Sequence, residues 1–331
     1  MSEEPSSLVL RPDSGNAGKR LDSFLSESIA GWSRARLQRL IDGGDVLVNG
    51  SQSRSSYKVR ESDEIEVELT EITASRFEPE NIPLDIVFED EYLLVINKPA
   101  GMIVHPGAGV DHGTLANAVA YHFGFRSSDF GPDDGDEQPT IDTLKSRIGL
   151  VHRLDKDTSG LIVVAKNEEI HDALSEQFQN REVEKSYVAL VHGDIRENSG
   201  KIDRPIARDR RNRLKMAVSQ TGRSALTLWR VKQRFGKFTL LDVDIKTGRT
   251  HQIRVHLASL NHPIVGDSIY NEGRDNNVAD IPVRQAIQGL GRFFLHAQKL
   301  SFTHPKSGER LTFTAELASE LNGFLYILNA G

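Results

Sequence analysis

The sequence predicts an α+β fold: a mostly antiparallel central sheet carrying a few helices, behind a small separate module of two helices and short strands. Two observations predict the sheet. Short apolar segments rich in Val and Ile, bounded by Gly, Asn or Asp, outnumber segments of helical period. Several follow one another as hairpins, such as LTLWRVKQRF and KFTLLDVDI joined at Gly236. A third observation predicts the division. The 331 residues suffice for two domains, and residues 70–83 hold Pro79 and Pro83 with little periodicity, as a linker does.

Residues 1–17 are polar, rich in Ser, Pro, Gly and Asn, and read as a flexible tail. A small domain then spans 18–69. Leu21, Phe24, Leu25 and Ile29 recur at helical spacing, with Gly31 as the stop. SRARLQRLIDGG predicts a second helix with Ser33 as N-cap and Gly43–Gly44 as its end. Leu37, Leu40 and Ile41 mark its apolar face, and Arg34, Arg36 and Arg39 lie elsewhere on its surface. DVLVNG and DEIEVEL read as short strands, the second alternating Ile65, Val67 and Leu69 with acids. Lys19 to Arg60 holds eight basic and four acidic residues, an excess that suits contacts to phosphate.

The larger domain covers 84–331. LDIVFEDEYLLVINKPAG reads as two strands about the acidic turn Glu89 to Glu91, and Gly and Pro bracket His105 in a loop. Residues 126–146 include SSDFGPDDGDEQPTIDT, with six acidic residues and no Lys or Arg. They read as a surface insertion that points away from any site. Residues 168–180 read as a helix, REVEKSYVALVHG as a strand containing Tyr187, and KIDRPIARDRRNRLKMAV as strand and loop. GRTHQIRVHLASLNH predicts a helix with Ile253, Leu257 and Leu260 on one face. Residues 271–290 read as a polar loop, RFFLHAQKLSFTHP as a strand and ELASELNGFLYIL as a terminal helix.

The absence of cysteine excludes disulfides, thiolate metal sites and a cysteine nucleophile, and suits a reducing cytosol. MSEEPSSLVL is acidic where a signal peptide is basic, and no segment approaches the about 20 apolar residues of a membrane span. The expectation is a soluble cytoplasmic protein, monomeric because no apolar helix stripe is left unassigned. The net charge of −6 argues mildly against nucleic acid, but it is unevenly spread. Residues 61–91 hold twelve acidic residues and one basic, whereas 201–215 hold seven basic and two acidic. A negative total can therefore conceal a basic face.

The rest of the chain is organised around GLVHRLDKDTSGLIVVAK, residues 149–166, in which a polar turn with Asp155 and Asp157 enters an apolar strand. Gly160 marks the joint. Residue types alone leave this stretch open. It reads as an Asx-type turn, or as a DxD motif holding a divalent metal in a nucleotide-sugar transferase, against which stands the lack of a Gly-rich or Rossmann-like site. By themselves, Tyr187 reads as a core residue and Arg254 as a solvated helix residue. His251 and His256 are five apart, a poor spacing for a metal pair on a helix.

HRLDKDTSG resembles the signature of the RluA-type RNA pseudouridine synthases, whose first Asp, here Asp155, is the essential catalytic residue. The resemblance runs from about residue 84 to 316. KSYVAL carries Tyr187 where the family has its active-site tyrosine, and GRTHQIRVH carries Arg254 where it has a cation facing the aspartate. FLHAQKLSF carries Leu295 where an apolar residue packs on the target base, and VHPGAG with the KMAV segment is most similar to the RluD-like branch. Helix, basic helix and strands with VNG resemble the αL-type (S4-like) RNA-binding module, which implies RNA contacts from Lys19, Arg20, Arg34, Arg36 and Arg39.

The resemblance implies an isomerase that converts uridine in RNA, above all large-subunit ribosomal RNA, to pseudouridine. The bond from uracil N1 to the ribose breaks, the base turns, and C5 is joined to the sugar. Every atom is retained, so no cofactor and no metal is implied. An aspartate ordinarily titrates near about 3.9 and is ionised at neutral pH. Asp155 would attack the ribose or remove a ribose proton, and both routes stay open. Arg254 is expected to pair bidentately with Asp155, and Tyr187 to stack on the uracil and relay the proton leaving C5. Arg153 is expected to fill the space left by the flipped nucleotide or to hold a flanking phosphate. Two other readings remain: an RNA-binding ribosome-assembly factor without catalysis, and a synthase acting on transfer RNA.

Overall fold

The computed structural model describes residues 6–29, 32, 34–69, 77–106, 110–126, 129, 148–209, 212 and 215–330. The chain divides into two compact units, Met1–Thr73 and Ala74–Gly331.

The small unit is built from β1 (Ser6–Leu10), α1 (Leu21–Ser28), α2 (Arg34–Gly43), β2 (Val46–Val48), β3 (Ser51–Gln52) and β4 (Ile65–Leu69). Its antiparallel sheet has the order β1-β4-β2-β3. In β4 the alternation places Ile65 and Val67 inside and Glu66 outside. The helices add Leu21, Phe24, Leu25, Leu37 and Ile41 to one core. Residues 6–10, read from sequence as tail, instead form β1 along β4, because Leu8 and Leu10 find this core to pack against. The expected Gly31 stop, the Ser33 cap and the first half of the linker, residues 70–76, lie outside the described residues. Helix α1 ends by Ile29 donating to Leu25 O, and Gly44 at φ +86° follows α2.

The large unit contains β5 (Ile86–Glu89), β6 (Leu93–Lys98), α3 (Leu115–His122), β7 (Ser159–Ala165), α4 (Glu168–Gln179), β8 (Glu184–His192), β9 (Ser199–Asp203), β10 (Ile206–Arg208) and β11 (Met216–Val218). There follow β12 (Leu226–Arg234), β13 (Phe238–Ile245), α5 (Gln252–Ser259), α6 (Ile281–Leu290), β14 (Leu295–Thr303), β15 (Arg310–Thr314) and α7 (Ser319–Ala330). Nine strands form the central sheet in the order β5-β6-β7-β14-β8-β13-β12-β9, with β15 also on β14. All neighbours are antiparallel except β7 and β14.

Strands β6 and β7 are buried on both faces, which explains their unbroken apolar runs. Leu93, Val95, Leu161 and Val163 join the core beneath α4, with Ile170 and Leu174. Leu94, Ile96, Ile162 and Val164 join the larger core on the opposite face. Gly160 lies inside β7 and not at its joint. At φ +113°, a Cβ there would run into the Ala297 backbone carbonyl, so the parallel pairing with β14 requires glycine.

Part of the stretch 271–290 read as loop is helix α6. Asp280 accepts from Val283 N–H as N-cap, Pro282 suits the first turn, Val283 and Ile287 are buried four apart, and Gly291 closes the helix at φ +62°. Its polar residues belong to the outer face of an amphipathic helix. The acidic stretch 130–142 lies outside the described residues.

Candidate active site

Asp155 sits on the turn entering β7, and that turn is held from several sides. Thr158 N–H donates to Asp155 O at 3.1 Å. The Lys156 carbonyl accepts from Gly101 N–H and from Lys98 Nζ, both at 3.0 Å. Lys98 is fully buried at the end of β6, and its ammonium also reaches the carbonyls of Pro99 at 2.7 Å and Met102 at 2.8 Å. Burial and Arg292 pull this lysine down to about 7, while Asp157 and Asp155 act in the opposite direction. Ser159 Oγ shares a 2.8 Å hydrogen bond with His296 Nδ1 and accepts from Arg292 Nη2 at 3.0 Å. The turn therefore has little freedom to move its carboxylate.

Arg254 comes from α5 and is only 4% exposed. It does face Asp155, through a single bond from Nη1 to Oδ2 of 3.1 Å. The expected bidentate pairing with Asp155 is not formed, because the fork is taken by Asp267. Arg254 Nε donates to Asp267 Oδ2 at 2.7 Å and Nη2 to Oδ1 at 2.9 Å. Asp267 also accepts from the Ile269 and Tyr270 N–H groups, so it is itself fixed. The guanidinium lies 4.4 Å from the Phe293 ring centroid and 5.0 Å from that of Tyr270. The hydrogen bonds and charges of Asp267 and Asp155 raise the arginine above its usual range against the effect of burial. Asp267 thus orients a permanent cation so that its Nη1 faces Asp155.

The N-terminus of α5 is anchored separately. Gln252 Oε1 accepts from Thr247 Oγ1 and Arg249 N–H, and Nε2 donates to Leu226 O and Thr227 Oγ1. His251, before it, has φ +54° and shares a 2.8 Å hydrogen bond with Tyr270 through Nδ1. His256 shares hydrogen bonds with Thr227 Oγ1 and Arg204 O, so its ring supports the helix.

Tyr187 is 7% exposed in β8. Burial, with a smaller contribution from Asp155, pushes its phenol above the ordinary range, so the hydroxyl stays protonated at neutral pH. Leu295, 3% exposed, pairs with Ala189 across β14 and β8, two residues from Tyr187 and on the same face. Tyr187 lines a cleft of about 620 Å³ together with His105, His152, Arg153, Phe178 and Lys185. Arg153 is exposed at its rim. Asp155, Arg254 and Tyr187 are thus brought together, with Leu295 beside Tyr187.

The five RNA-contact candidates of the small unit fare differently. Lys19 Nζ pairs with Glu27 at 2.6 Å. Arg20 places Nε and Nη2 on the two oxygens of Asp22, both at 3.0 Å, and Arg34 Nη2 adds a third bond at 3.1 Å. The side chains of Arg36 and Arg39 lie outside the described residues. Sequence reasoning passed over Asp22, Lys98, Asp267, Tyr270, Arg292 and Phe293. Asp267 carried one signal, a lone acid directly after the apolar run in PIVGD. The others look like ordinary surface or core residues in one dimension.

Among the described residues, no group of three or more His, Asp or Glu is arranged to hold a metal ion, and no helix is long and apolar enough to cross a membrane.

Residues 92–259 match the family model described as RNA pseudouridylate synthase, and residues 19–65 match the S4 domain. The chain is 40% identical over 333 residues to ribosomal large subunit pseudouridine synthase D of Xanthomonas campestris, covering 99% of this chain and 95% of that one. It is 39% identical over 303 residues to the uncharacterized RNA pseudouridine synthase YlyB of Bacillus subtilis, covering 92% of each. Among solved structures it resembles human RNA pseudouridylate synthase domain containing 4, with a TM-score of 0.54 and 26% identity over 74% of this chain and 92% of that one.

Proposed function

The chain belongs to the RNA pseudouridylate synthase family and isomerises uridine in RNA to pseudouridine, and from that premise we propose that its substrate is large-subunit ribosomal RNA and that Asp155 is its catalytic carboxylate. The substrate reading is supported by the names of relatives that align over nearly the whole chain. The catalytic reading rests on one observation: the Asp155 carboxylate is held 3.1 Å from a clamped, buried arginine, beside a buried tyrosine.

The reaction breaks the bond between ribose C1′ and uracil N1 and forms one between C1′ and C5. C5 loses a proton and N1 gains one, so composition and oxidation state are unchanged. Asp155 acts on the ribose as a negatively charged group whose orientation is set by Arg254 Nη1. Arg254 does not itself exchange protons, since its guanidinium is held cationic. Tyr187 stacks on the uracil. Because its phenol stays protonated, it passes a proton on instead of accepting one as a phenolate. Leu295 forms the apolar side of the base pocket, and Arg153 meets the flipped nucleotide at the rim.

The test is a pseudouridine map of ribosomal RNA from cells lacking this protein, complemented with wild type or Asp155→Asn. Sites lost in the deletion should return with wild type only. An unchanged ribosomal map would redirect the substrate to transfer RNA, and restoration by Asp155→Asn would end the catalytic assignment.

A further inference from the structure

Beyond Arg153, which meets the flipped nucleotide, the cleft beside Tyr187 carries charge that the isomerisation does not use. Arg153, Arg181, Lys185, Lys246 and Arg249 all line it, and no acidic residue does. Among the described residues, none of these five cations forms an ion pair. Lys185 is half-buried and lies 5.2 Å from the Phe178 ring centroid. His152, stacked on Phe178 at 4.7 Å, accepts from Val163 N–H through Nε2 and is held neutral by burial, Lys185 and His105. Burial pulls Lys185 down to about 8, and burial with Arg223 and Arg181 pulls Arg249 down. The cluster is thus a set of uncompensated cations around one cavity, and an anion entering it relieves the repulsion.

A second observation is independent of charge. Arg181 follows Asn180, the C-cap of α4, and has φ +63°. This is the helix-terminating position at which glycine is preferred and a long side chain is strained. The chain places a guanidinium there, and that guanidinium lines the cleft. Strain of this kind persists where the side chain has a use.

We propose that Arg181, Lys185 and Arg249 form a subsite for successive phosphodiesters of the single-stranded RNA segment that flanks the target uridine. The proposal rests on the reading of the protein as an RNA isomerase. Tyr187 lines the cleft, and Arg153, two residues before Asp155, stands at its rim, so a strand lying in it delivers its next nucleotide to Asp155. Phosphate contacts here position the strand without reading its sequence.

The experiment uses the full chain, a short oligouridylate as binding probe, and unmodified ribosomal RNA from the deletion strain as substrate. Arg181→Gly, Lys185→Gln and Arg249→Gln are each expected to weaken oligouridylate binding about ten- to a hundred-fold. The slope of log affinity against log salt should flatten by about 0.7 for each phosphate that is no longer neutralised. Lys185→Arg should bind as wild type does. Arg181→Gly separates binding from folding, because glycine suits φ +63°. This variant should melt no lower than wild type while binding RNA more weakly. Wild-type affinity and salt slope in Arg181→Gly and Lys185→Gln would overturn the subsite. A wild type that binds oligouridylate with the expected slope but forms no pseudouridine would leave the subsite supported and remove the isomerase reading instead.

Discussion

Each unit of this protein contains an arginine–carboxylate cluster, and the two differ in whether the arginine is buried with its carboxylate. In the large unit both members are buried: the side chain of Arg254 is 5% exposed and that of Asp267 is 1% exposed. In the small unit only the carboxylate is buried. Asp22 is 2% exposed, whereas Arg20 and Arg34 around it are 40% and 53% exposed. Burial decides which group is fixed. Arg254 is locked by Asp267 and two aromatic rings, which turn its Nη1 toward Asp155. Arg20 and Arg34 are tethered through Asp22 but keep their outer faces in water, where phosphate can reach them. One cluster suits chemistry that tolerates little misplacement. The other suits attraction of a polyanion, which tolerates a good deal.

The comparison breaks most visibly at Asp267. In Asp267→Ala the guanidinium of Arg254 stays buried without its fork, and stability should fall by about 3–5 kcal/mol. Denaturant unfolding measures this, and the loss should be confined to the large unit. A change near zero would mean that Asp155 alone can hold the arginine.

A smaller effect on stability but a large one on rate is expected for Arg254→Lys. The charge remains, but a lysine cannot keep the fork on Asp267 and a separate bond on Asp155 together. A misplacement of this size costs on the order of 100-fold, and it should appear in kcat with KM little changed. Wild-type kcat would show that only the charge matters.

The smallest effect lies in the small unit and depends on pH. The hydrogen bond from Arg20, together with Arg34, holds the Asp22 carboxyl below its ordinary range. A carboxyl whose pKa is lowered by folding adds stability that is present above its unfolded value of about 3.9 and is lost as pH falls through its native value. Asp22→Asn should therefore be less stable than wild type at neutral pH, and the gap should close in acid below about pH 4. Thermal melts across that range follow it. A gap that persists in acid would make Asp22 a packing residue and not an electrostatic one.

The helices and strands that carry the site are largely legible in the sequence because their signals are local. The run Leu161 to Ala165 is apolar throughout since β7 is covered on both faces, and the Gln252–Ser259 helix shows its period in Ile253 and Leu257. Asp155 is legible through its motif. What does not show is anything set by a partner far along the chain. Residues 6–10 look like tail until β4, more than fifty residues later, offers an edge. The stretch 281–290 does not stand out as core because only Val283 and Ile287 are fully buried in it. In one dimension the fork of Arg254 points to Asp155. It belongs to Asp267, an acid whose role appears only when the chain after α5 folds back over that helix.

By itself, then, the sequence determined the family, the α+β class and the identity of the candidate carboxylate, because periodicity and motif spacing are properties of neighbouring residues. The tertiary structure decided which acid clamps which arginine, that Lys98 braces the turn from beneath, and that five cations share one cleft. Those depend on pairs far apart in sequence, and on burial, which strengthens a charge interaction or removes it according to what else is enclosed. No one-dimensional pattern records that enclosure.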